Sequence, residues 1–251
     1  MRRLVVVFVL ILAGALLGAG QALSQAAPAA ATDTGSLRAD FNHDGFADLA
    51  VGVPQDRIGG VFFAGAVNVF SGSADGLSST GSRYFSQNTP GVGSTAEVPD
   101  SFGSALAAGD FDHDGYADLA VGVPNEGVGD IPIAGAVNLL YGSADGLSGA
   151  ASQFFTQNTS GLGSSAELSD AFGAALAGGD FNHDGADDLV VGVPSESVGS
   201  IFDAGAINVV YGSAGGLSGA GSQFFSQATG GVGGIAESSD LFGFALAASG
   251  P

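Results

Sequence analysis

The chain contains no cysteine and no lysine, and its five arginines stand against 25 acidic residues, giving a formal net charge of −20. Without cysteine there is no disulfide framework to hold a fold together outside the cell. With so little positive charge, the surface repels nucleic acid and anionic lipid, so neither is expected as a partner. Past the first 31 residues there is no apolar run of the roughly 20 residues that a membrane-spanning helix requires, and no stretch carries a helical period. No G-x-S-x-G nucleophile elbow occurs, and all three histidines sit in near-identical acidic loops, which leaves a Ser-His-Asp triad without a free base.

The N-terminus is of a different kind. Met1-Arg2-Arg3 precedes an unbroken apolar stretch from Leu4 to about Leu17, and small residues follow through Ala31. A basic tip, an apolar run and an Ala-rich exit predict a secretory signal peptide over residues 1–26, cut after Ala22 or Ala26, with 27–36 as linker. The alternative is an uncleaved anchor. The expected location is secreted and extracellular, with no membrane contact once the leader is removed.

What fills the rest is repetition. DFNHDGFADLAVGVP at Asp40–Pro54 returns as DFDHDGYADLAVGVP at Asp110–Pro124 and as DFNHDGADDLVVGVP at Asp180–Pro194, 70 residues apart each time. Within each copy, short segments alternate apolar and small or polar residues: Phe102, Ser104, Leu106 and Ala108; then Leu119, Val121 and Val123; then Val137 and Leu139 opposite Asn138 and Leu140; then SQFFTQ at Ser152–Gln157. Turn signals such as Ser-Ala-Asp-Gly at 143–146 separate them, and the chain's 44 glycines agree with many turns. Period-two patterning in four short segments per copy predicts an all-β fold of propeller-type blades, three 70-residue repeats of four antiparallel strands each. A β-sandwich is the competing architecture, but it does not need a near-verbatim long period. The copies run approximately 37–99, 100–169 and 170–239, with a final strand over 240–251.

Ten of the 25 acids occupy positions 1, 3, 5 and 9 of the three loops, so the charge is concentrated. In the central loop these are Asp110, Asp112, Asp114 and Asp118. Side chains two residues apart converge on one point when the backbone curls around it. Glycine at position 6 allows the curl, and the carbonyl of position 7 (Tyr116) can turn inward. This is the geometry of a calcium loop, with hard oxygen donors at about 2.3–2.6 Å. An EF-hand would carry glutamate at position 12, where this chain has Val51, Val121 and Val191, so the carboxylate at position 9 takes that role between two strands. A solvated acidic turn would not need carboxylates crowded at this spacing, and magnesium prefers a rigid octahedral shell with retained waters. His43, His113 and His183 at position 4 alternate with the inward positions and are expected to be exposed rather than zinc ligands.

Phe102-Gly103, the acidic loop and the Val-Gly-Val-Pro that follows together resemble the FG-GAP repeat of integrin α-subunit propellers and of secreted bacterial proteins. The final Gly-Ala-Pro of that pattern is Gly-Val-Pro here, at Gly52, Gly122 and Gly192. The resemblance covers the chain beyond its leader. It implies calcium at Asp40, Asn42, Asp44 and Asp48 with the carbonyl of Phe46, at Asp110, Asp112, Asp114, Tyr116 and Asp118, and at Asp180, Asn182, Asp184, Ala186 and Asp188: about three sites, one per repeat. It also implies adhesion or binding of an extracellular protein or glycan, without catalysis by this chain. An accessory or catalytic propeller of a secreted hydrolase is the other class it suggests.

Other signals are weaker. GVGSTA at Gly91–Ala96 and its two counterparts fit G-x-G-x-x-A, but a dinucleotide fingerprint opens a helix and these lead into the next Phe-Gly. Glu97, Glu167 and Glu237 recur strictly, which favours a structural role over paired hydrolytic carboxylates. Asn158-Thr159-Ser160 forms a glycosylation sequon. Asp187, Arg57 and Asp203 break the repeat but are too few and too scattered to form a site. The first copy lacks a Phe-Gly strand, since Thr32-Asp33 stand in its place, and Leu241–Pro251 supplies a surplus one. A closed propeller has four to eight blades, so the array is part of a larger propeller, a half-ring that pairs as a homodimer, or an unusually small closed array.

Overall fold

The computed structural model describes residues 39–248; the expected leader and linker lie outside the described residues. Eleven strands and no helix occur among them, and no helix there is long and apolar enough to cross a membrane. Three antiparallel sheets follow the three copies. The first joins β1 (Leu49–Val53), β2 (Ala66–Ser71) and β3 (Ser78–Phe85). The second orders β4 (Leu106–Gly109), β5 (Asp118–Val123), β6 (Ala136–Tyr141) and β7 (Ser148–Phe155). The third orders β8 (Ala175–Gly179), β9 (Asp188–Val193), β10 (Ala206–Tyr211) and β11 (Ser218–Phe225).

The registers repeat as the sequence does. Val121 pairs with Asn138 and Gly122 with Val137 in the second sheet, and Val191 with Asn208 and Gly192 with Ile207 in the third. The period-two pattern decides which neighbour each side chain meets. Leu119, Val121, Val123 and Leu140 pack with Phe41, Val67, Val69 and Phe85 of the first copy. Ala120, Val137 and Leu139 point the other way, toward Leu176, Leu189, Val191 and Val210 of the third. A sheet covered on both faces has strands that read as continuous apolar runs, which accounts for the complete burial of β5 and β9.

Two expectations about strands change. The Phe-Gly phrase does not run as one strand from Phe102 to Asp110: only Leu106–Gly109 belongs to β4. Phe102 instead makes a parallel bridge to Gly65 of the preceding copy, with its N–H on the Ala64 carbonyl at 2.9 Å, while the Gly103 N–H reaches the Gly122 carbonyl of its own sheet at 3.0 Å. Phe172 and Phe242 repeat the bridge to Gly135 and Gly205. The phrase therefore staples one blade to the next. Residues 240–248 form no strand, since no second strand of a further sheet pairs with them among the described residues; Leu246 and Ala248 pack against the cluster of Ala177, Val190 and Val209. The first sheet has three strands, as the missing Phe-Gly phrase implies.

Glycine is required where backbones touch. A Cβ on Gly122 would sit 2.1 Å from the Gly173 carbonyl oxygen, and one on Gly192 would sit 2.2 Å from that of Gly243.

Candidate metal centre

Each acidic loop is built by its own carboxylates. The position-1 aspartate accepts the N–H groups of positions 5 and 6: Asp110 from Asp114 and Gly115, both at 3.0 Å; Asp40 from Asp44 at 3.1 Å and Gly45 at 3.0 Å; Asp180 from Asp184 at 3.2 Å and Gly185 at 3.1 Å. The position-5 aspartate accepts the N–H of position 7, so Phe46, Tyr116 and Ala186 close the curl. Position 6 is left-handed in all three loops, with φ of 88°, 91° and 98° at Gly45, Gly115 and Gly185.

The position-9 carboxylate ties the loop to the sheet. Asp118 accepts the Phe111 N–H and the Gly142 N–H, both at 2.9 Å; Asp48 does the same with Phe41 and Gly72, and Asp188 with Phe181 and Gly212. The glycine partners follow the next strand, 24 residues on. Phe41 and Phe111 at position 2 are buried in the two inter-sheet clusters and anchor their loops there. Phe181, with no described sheet beyond it, is 47% exposed.

In the central loop Asp110, Asp112 and Asp118 each bring a carboxylate oxygen within 4.8 Å of the others. Asp114 is not in this trio; its Oδ1 accepts the Tyr116 N–H at 2.9 Å. In the outer loops position 3 is asparagine, and Asn42 and Asn182 donate their amides to Asp44 and Asp184 at 3.0 and 2.9 Å. Burial pushes the Asp118 carboxyl up to about 8, two backbone N–H groups acting against the rise and Asp112 and Asp110 adding to it. Burial also raises Asp110, Asp112, Asp48 and Asp188.

No arginine balances this charge among the described residues. Arg57 lies over the Phe62 ring and reaches the Gly60 carbonyl, and Arg83 donates to the Leu147 and Asp145 carbonyls. A buried carboxylate without a counter-charge is costly. An all-oxygen cluster converging on one point can meet that cost by taking a hard cation.

The histidines are exposed at position 4. Their backbone is left-handed, with φ of 54°, 58° and 59°, a conformation in which histidine is enriched. His43 lies edge-on to Tyr116, ring centroids 5.9 Å apart. The loops are in fact coupled: the Asp40 carbonyl accepts the Ala117 N–H at 3.1 Å, and the Asp110 carbonyl accepts that of Asp187 at 2.9 Å.

Asp187 has more to do than its lone departure from the repeat suggested, since its Oδ2 accepts the Asp110 N–H at 3.0 Å. Three features were not read from the sequence: the phenylalanine anchors, the glycine donors to position 9, and a set of buried acids at the blade junctions. The recurrence of Phe41/Phe111, Gly72/Gly142 and Glu126/Glu196 at the 70-residue period was the available signal. Glu97, Glu167 and Glu237 form turns, their N–H groups donating to Asp100, Asp170 and Asp240. The G-x-G-x-x-A segments open no helix.

The FG-GAP repeat family pattern matches residues 33–70, 102–139 and 172–210. Among curated proteins the chain is 40% identical over 108 residues to phosphatidylinositol-glycan-specific phospholipase D of Mus musculus, covering 43% of this chain and 12% of that protein. It is 31% identical over 173 residues to integrin alpha-PS3 of Drosophila melanogaster, covering 67% and 14%. With integrin alpha-6 of Homo sapiens it shares 31% over 174 residues, covering 68% and 13%. The matched region spans less than a fifth of the length of these relatives.

Proposed function

The chain is an FG-GAP repeat protein, and from that premise we propose that it is a secreted, calcium-binding module for adhesion or ligand binding, taking an extracellular protein or glycan and having no catalytic site of its own. The observation that carries the calcium reading is the convergence of Asp110, Asp112 and Asp118 within 4.8 Å in a loop without arginine or lysine. In this reading the central site is completed by Asp114 and the Tyr116 carbonyl. The outer sites use Asp40, Asn42, Asp44, Asp48 and the Phe46 carbonyl, and Asp180, Asn182, Asp184, Asp188 and the Ala186 carbonyl. The cation supplies the positive charge that the buried carboxylates lack. It joins strands of one sheet, because position 9 is bonded to the glycine after the next strand.

Similarity to integrins over two thirds of the chain favours binding over catalysis. The similarity to a phospholipase D keeps a second reading in view, an accessory propeller beside a hydrolase. Melting in chelator and in calcium tests the first part: calcium is expected to raise the melting temperature, and Asp114→Ala to lower it even with calcium present. Identical melting in both buffers rejects calcium binding. A glycan array and a general hydrolase screen test the second part, and turnover abolished by altering one copy alone would replace the binding reading with the enzymatic one.

A further inference from the structure

A second group of acids lies where successive blades meet, away from the loops. At the first junction Asp100 and Glu126 are 2% and 8% exposed, and Gln87, 2% exposed, lies between them. Its Nε2 is 2.5 Å from Glu126 Oε2 and 3.0 Å from Ser94 Oγ; burial raises the Asp100 carboxyl, and the Glu97 N–H and this amide act against the rise. Seventy residues on, Gln157, Asp170 and Glu196 repeat the arrangement, equally buried, with Gln157 Nε2 2.6 Å from Glu196 Oε2. Each cluster draws on two copies: the glutamine follows the last strand of one, and the glutamate follows the second strand of the next.

Two features point to a ligand. First, neither carboxylate pair has a cationic partner among the described residues: the chain has no lysine, and Arg57 and Arg83 are engaged elsewhere. Burial, with the neighbouring aspartate second, pushes Glu126 up to about 8 and Glu196 to about 7. Second, Oε1 of Gln87 and of Gln157 is buried with no hydrogen-bond partner. An amide oxygen left unpaired in the interior loses its hydration without compensation. One proton would neutralise a single carboxylate of each pair. A divalent cation would answer both carboxylates and the bare oxygen together. A groove of about 260 Å³, lined by Glu97, Asn125 and Asp130, reaches Asp100 of the first cluster.

We propose that each of these two junctions binds a hard divalent cation, through Asp100, Glu126 and Gln87 Oε1 at the first and Asp170, Glu196 and Gln157 Oε1 at the second, separately from the acidic loops. Oxygen donors drawn from separate segments make an irregular cage, which suits calcium better than magnesium. Such ions clamp blade to blade, whereas a loop ion joins strands of one sheet. At the third position Gln227 Oε1 is also unpartnered, but no glutamate faces it among the described residues and Asp240 is exposed.

Calcium bound per chain is counted by equilibrium dialysis and metal analysis for the whole protein and for Glu126→Gln/Glu196→Gln. The variant is expected to hold two ions fewer. An Asp110→Asn/Asp118→Asn loop variant should keep both junction ions, so a failure of the loop reading and a failure of this one give different counts. Equal counts for wild type and the junction variant overturn the proposal, and a junction variant more stable in chelator at unchanged count assigns a proton in place of the ion. Should that variant not fold, Gln87→Leu/Gln157→Leu decides: a tenfold or greater loss of affinity at two sites is expected, and unchanged binding rejects the site.

Discussion

Equivalent residues in the three copies do unequal work, and their surroundings say why. Asp118 is buried and holds two backbone N–H groups, so Asp118→Asn must leave one of them facing an amide nitrogen. A loss of about 1–3 kcal/mol is expected in chelator, with a further loss in calcium of the binding linkage, about 2.7 kcal/mol at a hundredfold excess over the dissociation constant. Urea unfolding in the two buffers reads both. Asp112→Asn installs what Asn42 and Asn182 already are, and should change stability in chelator by less than about 0.5 kcal/mol. A large effect there would mean that position 3 shapes the loop itself. Phe111→Ala should cost about 3–5 kcal/mol as a buried anchor, while Phe181→Ala, exposed, should cost little.

Among elements, the Phe-Gly staple is where blades are joined by backbone. Phe102 is fully buried and bonded to the preceding copy, and Gly103 is bonded to its own. Gly122 lies against the next staple, where an added Cβ would meet the Gly173 carbonyl oxygen at 2.1 Å. Backbone cannot retreat as a flexible side chain can, so Gly122→Ala should cost about 1–3 kcal/mol as overpacking. Gly129→Ala, a left-handed glycine with open space around it, bears only conformational strain of roughly 1–2 kcal/mol. Denaturation midpoints that rank the two the other way would show that the blades separate easily.

For the whole molecule the acids act in one direction. Asp118, Glu126 and Glu196 all have carboxyls raised above their unfolded values by burial. The folded state therefore holds protons that the unfolded chain releases, and stability falls as pH rises from near 4 through about 8. In chelator the urea midpoint should drop across that window; in saturating calcium the drop should shrink, because the cation displaces those protons. A midpoint in chelator that rises with pH would mean that these groups are already charged and compensated. Leu49 and Val51 are 42% and 39% exposed where their counterparts Leu119, Leu189, Val121 and Val191 are buried. A homodimer, one of the three assemblies that the strand count allows, would cover this edge. Light scattering in calcium should then give twice the mass of one chain, and Leu49→Asp should halve it; a wild-type monomer rejects the pairing.

Residue order alone determined the 70-residue unit, the β class and the acidic loops, because alternation and loop spacing are local properties of the chain. Leu119, Val121 and Val123 declare one face of a strand without any knowledge of what covers it. The partner on each face was decided only in three dimensions. Phe102 belongs by sequence to its own copy, yet it bonds to the one before. Asp118 finds its second donor at Gly142, and Gln87 meets Glu126 39 residues away. Of the four acids in the central loop, Asp110, Asp112 and Asp118 converge and Asp114 does not join them. Such contacts depend on how sheets stack, and burial gives them their energetic weight. Stacking and burial are set by the whole chain, which no local pattern records.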